Sequence, residues 1–191
     1  MNNIRTFENF NNEDIFVSIK NNDIQSVKDY INSGYNLDSQ NNSGDTPLIL
    51  AASNNKMEIV KLLLNSGADI NRQDNYGGTA LIYAVFNNRI EIVKLLLNAG
   101  ADIDKQDNNG YTALILAAYE NNREIIELLL DYGADEFILN DENKSFYDYL
   151  NYPNQQYFTQ NYPTSVYNAI YHKYKKSFTE FVKDYNIKIK K

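Results

Sequence analysis

The sequence contains no cysteine and only one histidine, and both shortages remove classes of chemistry. Without cysteine, the chain cannot form a disulfide, a thiolate nucleophile or a cysteine-ligated zinc or iron–sulfur site. A hydrolytic triad or a histidine-ligated metal would need His172, which lies in the segment YHKYKK and is interpreted as an exposed helical residue. The glycines form neither a GxxxxGK run nor a GxGxxG motif after a strand, so nothing supports nucleotide binding. We therefore predict no enzymatic activity, no catalytic residue, no cofactor, no metal site and no small-molecule substrate.

Long apolar runs are also absent. No run approaches the roughly 18 apolar residues of a membrane-spanning helix. The N-terminus MNNIRTFENFNNED has no apolar core flanked by positive charge, as a secretory signal peptide would have. We expect a folded protein that makes no membrane contact and acts in the cytoplasm, or that is exported by a route independent of a signal peptide.

Positive charge is scarce in most of the chain. Residues 1–143 carry 10 Lys and Arg against 22 Asp and Glu, whereas residues 144–191 carry 8 against 3. An acidic body is thus followed by a basic tail. The acidic body predicts a protein partner with a basic face.

A period of 33 residues organises the chain. Gly44, Gly77 and Gly110 follow one another at this spacing. The same spacing separates three threonines, Thr46, Thr79 and Thr112. It also separates three Gly-Ala-Asp triplets, which begin at Gly67, Gly100 and Gly133. Such a strict period indicates stacked units, each of which buries too little apolar surface to offset the entropy of ordering its own backbone.

The segments TPLILAA, TALIYAV and TALILAA, each followed by LLL and GAD, resemble ankyrin repeats. The resemblance implies an all-α solenoid of helix-turn-helix repeats with short β-hairpin-like loops, at 42–74, 75–107 and 108–140. The threonines are predicted N-caps, and the glycines of the triplets are predicted to end the second helices. Asparagine stands at the left-handed position between helices where the family usually has glycine, at Asn55, Asn88 and Asn121.

One departure from the family is systematic. The histidine of its TPLH motif is replaced by isoleucine, at Ile49, Ile82 and Ile115. We expect apolar contact between repeats in place of the hydrogen bonds that this histidine usually makes.

The pattern weakens at both ends. Residues 1–11 form a polar arm, and residues 12–41 are a degenerate first repeat that acts as an end cap, with Ser26 and Asp29 in place of the apolar Ile59 and Leu62. Residues 141–150 begin a degenerate last repeat. We predict a turn-rich connector at 151–163 with a short helix at 155–159, then a helix and basic tail at 164–191 that cap the last repeat.

In ankyrin proteins, partners usually bind at the tips of the loops and at the front of the first helix. The predicted tip residues are Asp45, Asn75, Tyr76, Asn108, Asn109 and Tyr111. The predicted helix-front residues are Asn54, Phe86, Asn87, Tyr119 and Glu120. Aromatics are enriched among binding hot spots, so Tyr76, Phe86, Tyr111 and Tyr119 would dominate binding; alternatively, they only fill the groove.

The sequence therefore predicts a non-catalytic module that binds a protein through an acidic, aromatic, concave surface, as an inhibitor, an adaptor or a microbial effector. The alternative is nucleic-acid association through the tail, where tyrosines and lysines alternate around Lys173 and Lys176. The acidic repeats would repel a phosphate backbone, which makes nucleic acid the less favoured partner.

Overall fold

The computed structural model describes residues 12–162, which contain ten helices and no strand. The chain divides after Asp102 into two compact units. The N-terminal unit holds α1 (Asn12–Lys20), α2 (Ile24–Asn32), α3 (Pro47–Ser53), α4 (Met57–Asn65), α5 (Ala80–Phe86) and α6 (Ile90–Asn98). The C-terminal unit holds α7 (Ala113–Tyr119), α8 (Arg123–Asp131), α9 (Phe146–Tyr149) and α10 (Tyr152–Asn161). The prediction of an all-α fold of helical repeats is confirmed.

Each full repeat pairs a first helix of seven residues with a second helix of nine. Helices of seven to nine residues are not stable alone in water, so their stability comes from packing. In the N-terminal unit α3 contacts α1, α4 and α5, and α2 contacts α4; in the C-terminal unit α7 contacts α8 and α9. The second helices contribute side chains with no exposed surface, namely Ile59, Val60, Leu63, Ile92, Val93, Leu96, Ile125, Ile126 and Leu129.

Threonine begins the first helix of each full repeat. The hydroxyl oxygens of Thr46, Thr79 and Thr112 each accept the backbone N–H three residues on, at 3.2 Å. A side-chain acceptor at this position satisfies one of the four N–H groups that a helix leaves unpaired at its start. The predicted N-caps are confirmed.

Asparagine makes the turn between the two helices of a repeat. Asn55, Asn88 and Asn121 have φ of 58°, 55° and 55°, in the left-handed region, as predicted. Asn22 in the first repeat adopts the same conformation, with φ of 57°. Asparagine tolerates this region better than most residues with a Cβ, because its short polar side chain can hydrogen-bond locally.

We expect Asn55→Ala to lower the free energy of unfolding by about 1 kcal/mol, since alanine tolerates the left-handed region poorly. The free energy of unfolding of Asn55→Gly should equal or slightly exceed that of the original protein, because glycine adopts positive φ without steric cost. Urea unfolding of the two variants checks this. An alanine variant as stable as the glycine variant would contradict it.

Hydrogen bonds between loops also connect successive repeats. Within the N-terminal unit, Asp38 Oδ1 accepts the backbone N–H of Asp69 at 2.8 Å, and Asn71 Oδ1 accepts that of Asp102 at 2.8 Å. Within the C-terminal unit, Asp104 Oδ1 accepts the N–H of Asp135 at 2.8 Å. The isoleucines at 49, 82 and 115, which stand in place of the family's histidine, are buried, and the loop hydrogen bonds add to the apolar contact expected there.

The last helix of the described residues is longer than the sequence predicted. Helix α10 spans Tyr152–Asn161 instead of 155–159, and it takes up most of the predicted connector. Asn151 caps it, and Pro153 lies in its first turn, where a missing N–H costs no hydrogen bond. Asn154 donates to Asn121 Oδ1 at 2.7 Å, from a position 33 residues further along the chain. Phe158 stands 33 residues after Ile125 and is likewise fully buried, so α10 serves as the second helix of a fifth repeat. It begins at Tyr152, however, and not at residue 156, which lies 33 residues after the start of α8.

Two predicted segments lie outside the described residues. These are the N-terminal arm at 1–11 and the capping helix with its basic tail at 164–191.

Candidate protein-binding surfaces

Four loop tips project from the repeats, and one side chain organises each. At residues 41, 74, 107 and 140 a side-chain oxygen accepts the backbone N–H groups two and four residues on. At Asp74, for example, Oδ1 accepts from Tyr76 at 2.9 Å and from Gly78 at 2.7 Å. These bonds fix the backbone of each tip in a defined turn, which sets the positions of the residues at the tip.

Large aromatic side chains are exposed in the N-terminal unit. Tyr76 at a tip is 68% exposed, and Phe86 at the end of α5 is 54% exposed. Both positions agree with the sequence-based assignment to a tip and a helix front. Large apolar surfaces exposed on a folded unit mark candidate interaction sites.

Tyr83 supports the tip that carries Tyr76. Its hydroxyl donates to Asp74 Oδ2 at 2.5 Å, and a Cβ at Gly78 would lie 2.5 Å from its ring. Glycine is therefore required at residue 78 for this packing. Burial, followed by the hydrogen bond and the charge of Asp74, raises the pKa of Tyr83 well above its ordinary value, so the phenol stays protonated and remains a donor.

Several predicted contact residues of this unit are engaged within the chain. The side-chain amides of Asn54 and Asn87 donate to backbone carbonyls at the ends of α3 and α5, each at 2.9 Å. Asp45 is half-buried and accepts from the side-chain amide of Asn41 at 3.0 Å. Asn75 is exposed, and its amide lies 3.4 Å from the carbonyl of Asn42. These four polar residues help to shape the surface.

A groove of about 480 Å³ lies beside α1 in the same unit. It is lined by Phe16, Val17 and Lys20 together with residues 40–43. In the repeat register Lys20 stands at the position of Phe86, so the helix-front surface extends to the first repeat. Sequence reasoning missed this groove because it treated the first repeat only as an end cap.

Three tyrosines form a cluster on the C-terminal unit. The ring centroids of Tyr111 and Tyr119 are 6.2 Å apart, those of Tyr119 and Tyr149 5.6 Å, and those of Tyr111 and Tyr149 5.8 Å. We call these three residues the tyrosine cluster. Tyr119 is 58% exposed, whereas Tyr111 and Tyr149 are half-buried. The predicted pair of Tyr111 and Tyr119 thus gains a third ring that the sequence analysis did not include.

Hydrogen bonds hold the two half-buried members of the tyrosine cluster. The hydroxyls of Tyr111 and Tyr149 share a hydrogen bond of 3.0 Å, and the side-chain amide of Asn140 donates to the Tyr149 hydroxyl at 2.7 Å. The bond to Tyr149, together with burial, raises the pKa of Tyr111 to about 12. The Tyr111 phenol therefore remains neutral at physiological pH, and hydrogen bonds hold the base of the cluster in place.

A lysine and a glutamate flank the tyrosine cluster. Lys144 Nζ lies 5.1 Å from the ring centroid of Tyr149 and 2.6 Å from Glu142 Oε2. This contact lowers the pKa of Glu142 and raises the pKa of Lys144, so both groups stay charged. The predicted residues Asn108, Asn109 and Glu120 are exposed on this unit.

The residues that sequence reasoning missed share a signal in the repeat register. Tyr83 and Tyr149 stand at the positions of Leu50 and Leu116, and the sequence analysis assigned no role to either. The available signal was the polar residue nine positions earlier in each case, Asp74 and Asn140, which can pair with a hydroxyl.

The described residues were compared with the requirements of a metal site and of a membrane-spanning helix. Between residues 12 and 162, no three or more His, Cys, Asp or Glu side chains come together as a metal site would require. None of the helices in that range is long and apolar enough to cross a lipid bilayer. His172 lies beyond the described range.

Comparisons with known proteins agree with the repeat register. A family model of ankyrin repeats in three copies matches residues 15–107, and a model of ankyrin repeats in many copies matches residues 87–130. A search of curated proteins found no match.

Proposed function

Because the chain belongs to the ankyrin-repeat family, whose members generally mediate protein–protein interaction, we propose that it binds a partner protein without catalysis through its loop tips and first-helix fronts. The observation that carries the proposal is the exposure of Tyr76, Phe86 and Tyr119, each more than half exposed. Such rings cost solubility on a free surface, and truncation of similar residues at interfaces often removes a large part of the binding energy.

The charge of the repeats supports a partner with a basic face. Residues 12–162 contain 22 Asp and Glu against 10 Lys and Arg. Complementary charge increases association rates and disfavours acidic competitors. A module of this kind can serve as an inhibitor, an adaptor or an effector, and the nature of the partner decides which.

The alternative of nucleic-acid association depends on residues 164–191, which lie outside the described range. No observation in the described residues favours it, and their negative charge disfavours binding to a phosphate backbone.

Quantitative affinity capture from the native organism, followed by binding measurements with the purified partner, tests the proposal. We expect Tyr76→Ala, Phe86→Ala or Tyr119→Ala to weaken partner binding by about 2 kcal/mol for at least one of the three, while the unfolding temperature changes little. Tyr132→Ala, which removes a tyrosine 44% exposed at the end of α8, is the matched control and should bind normally.

Unchanged partner binding in all three variants would contradict the proposed surface. Equal losses of binding and stability would instead identify these rings as structural residues. The association rate should also fall as salt is added, because acidic and basic surfaces attract less when screened.

A further inference from the structure

We propose that the tyrosine cluster of the C-terminal unit binds an arginine side chain of the partner, with the guanidinium against the rings and beside Glu142. The inference rests on the proposed function and adds the chemistry of one contact. It concerns only residues of the C-terminal unit, namely Tyr111, Tyr119, Tyr149, Glu142 and Lys144.

The tyrosine cluster is built before any partner arrives. The bond between the Tyr111 and Tyr149 hydroxyls and the bond from Asn140 fix two rings, and the exposed ring of Tyr119 meets Tyr111 at 89°. The faces of aromatic rings carry negative electrostatic potential and attract cations within about 6 Å of the centroid. A rigid site also loses little conformational entropy on binding.

A cation of the chain itself already contacts the tyrosine cluster. Lys144 Nζ lies 5.1 Å from the centroid of Tyr149 and pairs with Glu142 at 2.6 Å. Cation, ring and carboxylate therefore come together at the position proposed for the partner. The Lys144 and Glu142 side chains are 42% and 57% exposed, so breaking their ion pair costs little stability. A cation that binds the Tyr149 ring more tightly can therefore displace Lys144.

The same unit shows how an arginine fits such a surface. The guanidinium carbon of Arg123 lies 4.4 Å from the ring centroid of Tyr157, and its Nε lies 3.6 Å from Glu127 Oε1. Arginine, tyrosine and glutamate thus form the arrangement that we propose between the two proteins. The planar guanidinium can stack on a ring and hydrogen-bond to a carboxylate together, whereas the compact, strongly hydrated lysine ammonium stacks poorly.

The electrostatic setting also favours a cation. Residues 103–162 contain 11 Asp and Glu against 3 Lys and Arg, and the exposed Glu120 follows Tyr119 directly. An anionic ligand would meet this charge at a cost, and a neutral apolar ligand would gain nothing from it.

Three capped peptides of the composition Gly-Ser-X-Ser-Gly, in which X is arginine, citrulline or lysine, test the inference on the full chain by NMR titration. Citrulline keeps the shape of arginine without the charge. We expect the arginine peptide to shift resonances of the tyrosine cluster and to bind at least about fivefold more tightly than either of the others.

Variants of the full chain sharpen the test. Tyr119→Ala should weaken arginine-peptide binding at least about fivefold, whereas Tyr132→Ala should leave it unchanged. Lys144→Gln should strengthen it about threefold or more, because the variant removes both a competing cation and a repulsive charge. Equal binding of the citrulline or lysine peptide, or no effect of Tyr119→Ala, would overturn the inference.

The failure of this inference is distinguishable from failure of the proposed function. If the partner protein loses affinity with Phe86→Ala or Tyr119→Ala while no arginine peptide binds, the binding surface stands and the arginine assignment is wrong. If the peptide binds as expected and partner binding is unaffected by every ring variant, the proposed function is wrong.

Discussion

Phe158→Ala should destabilise the C-terminal unit by about 3 to 5 kcal/mol, the usual loss when a fully buried phenylalanine is truncated to alanine. Phe158 has no exposed surface, and its ring packs edge-on against Phe146 at a centroid distance of 6.5 Å. The rings of Tyr157 and Tyr162 lie 5.3 and 5.5 Å away. Removing the phenyl group leaves a cavity that these neighbours can fill only in part.

Urea unfolding followed by circular dichroism measures this effect, with Gln160→Ala as the control because its side chain is exposed on the same helix. The control should change the unfolding free energy by less than about 0.5 kcal/mol. A loss below about 1 kcal/mol for Phe158→Ala would show that α10 does not pack on the repeat before it, and would remove the argument for a fifth repeat.

Gly44→Ala should lower the unfolding free energy of the N-terminal unit by about 2 to 5 kcal/mol, which is more than Gly67→Ala should lower it. Both glycines have positive φ, 81° and 88°, so either substitution incurs the left-handed strain of about 1 to 2 kcal/mol. At Gly44 the added Cβ would also lie 2.5 Å from the backbone nitrogen of Asn75, whereas nothing lies within 4 Å at Gly67. Backbone cannot rotate away as a side chain can, so the repeats must separate slightly, at a further 1 to 3 kcal/mol or so.

The C-terminal unit offers the same comparison. A Cβ at Gly110 would lie 2.8 Å from the backbone nitrogen of Asp141. A Cβ at Gly133 would have nothing within 4 Å. The alanine variants at residues 44 and 110 should therefore unfold at lower temperatures than those at residues 67 and 133. Equal losses at the four positions would show that backbone conformation alone, and not close approach of the next loop, accounts for these glycines.

Local features of the repeats were predictable because their causes lie within a few residues. A threonine three residues before an isoleucine N–H can cap a helix whatever lies around it, and an asparagine or glycine can take positive φ by its own stereochemistry. The acidic charge follows from composition, and the exposure of Tyr76, Phe86 and Tyr119 follows from position in the 33-residue register. The arrangement of repeated helices was thus determined by the sequence alone.

The contacts of the candidate surface were decided by tertiary structure. Tyr83 and Tyr149 stand at leucine positions, and their hydroxyls found partners only because the loop folds Asp74 and Asn140 back over the helix. Tyr149 joins Tyr111 across 38 residues of chain, and α10 is held to the preceding repeat by Phe158 and by the bond from Asn154 to Asn121. Hydrogen bonds and ring contacts of this kind depend on distances between segments far apart in the chain. A repeat pattern fixes which positions face each other, but the meeting of particular polar atoms depends on how the loops pack.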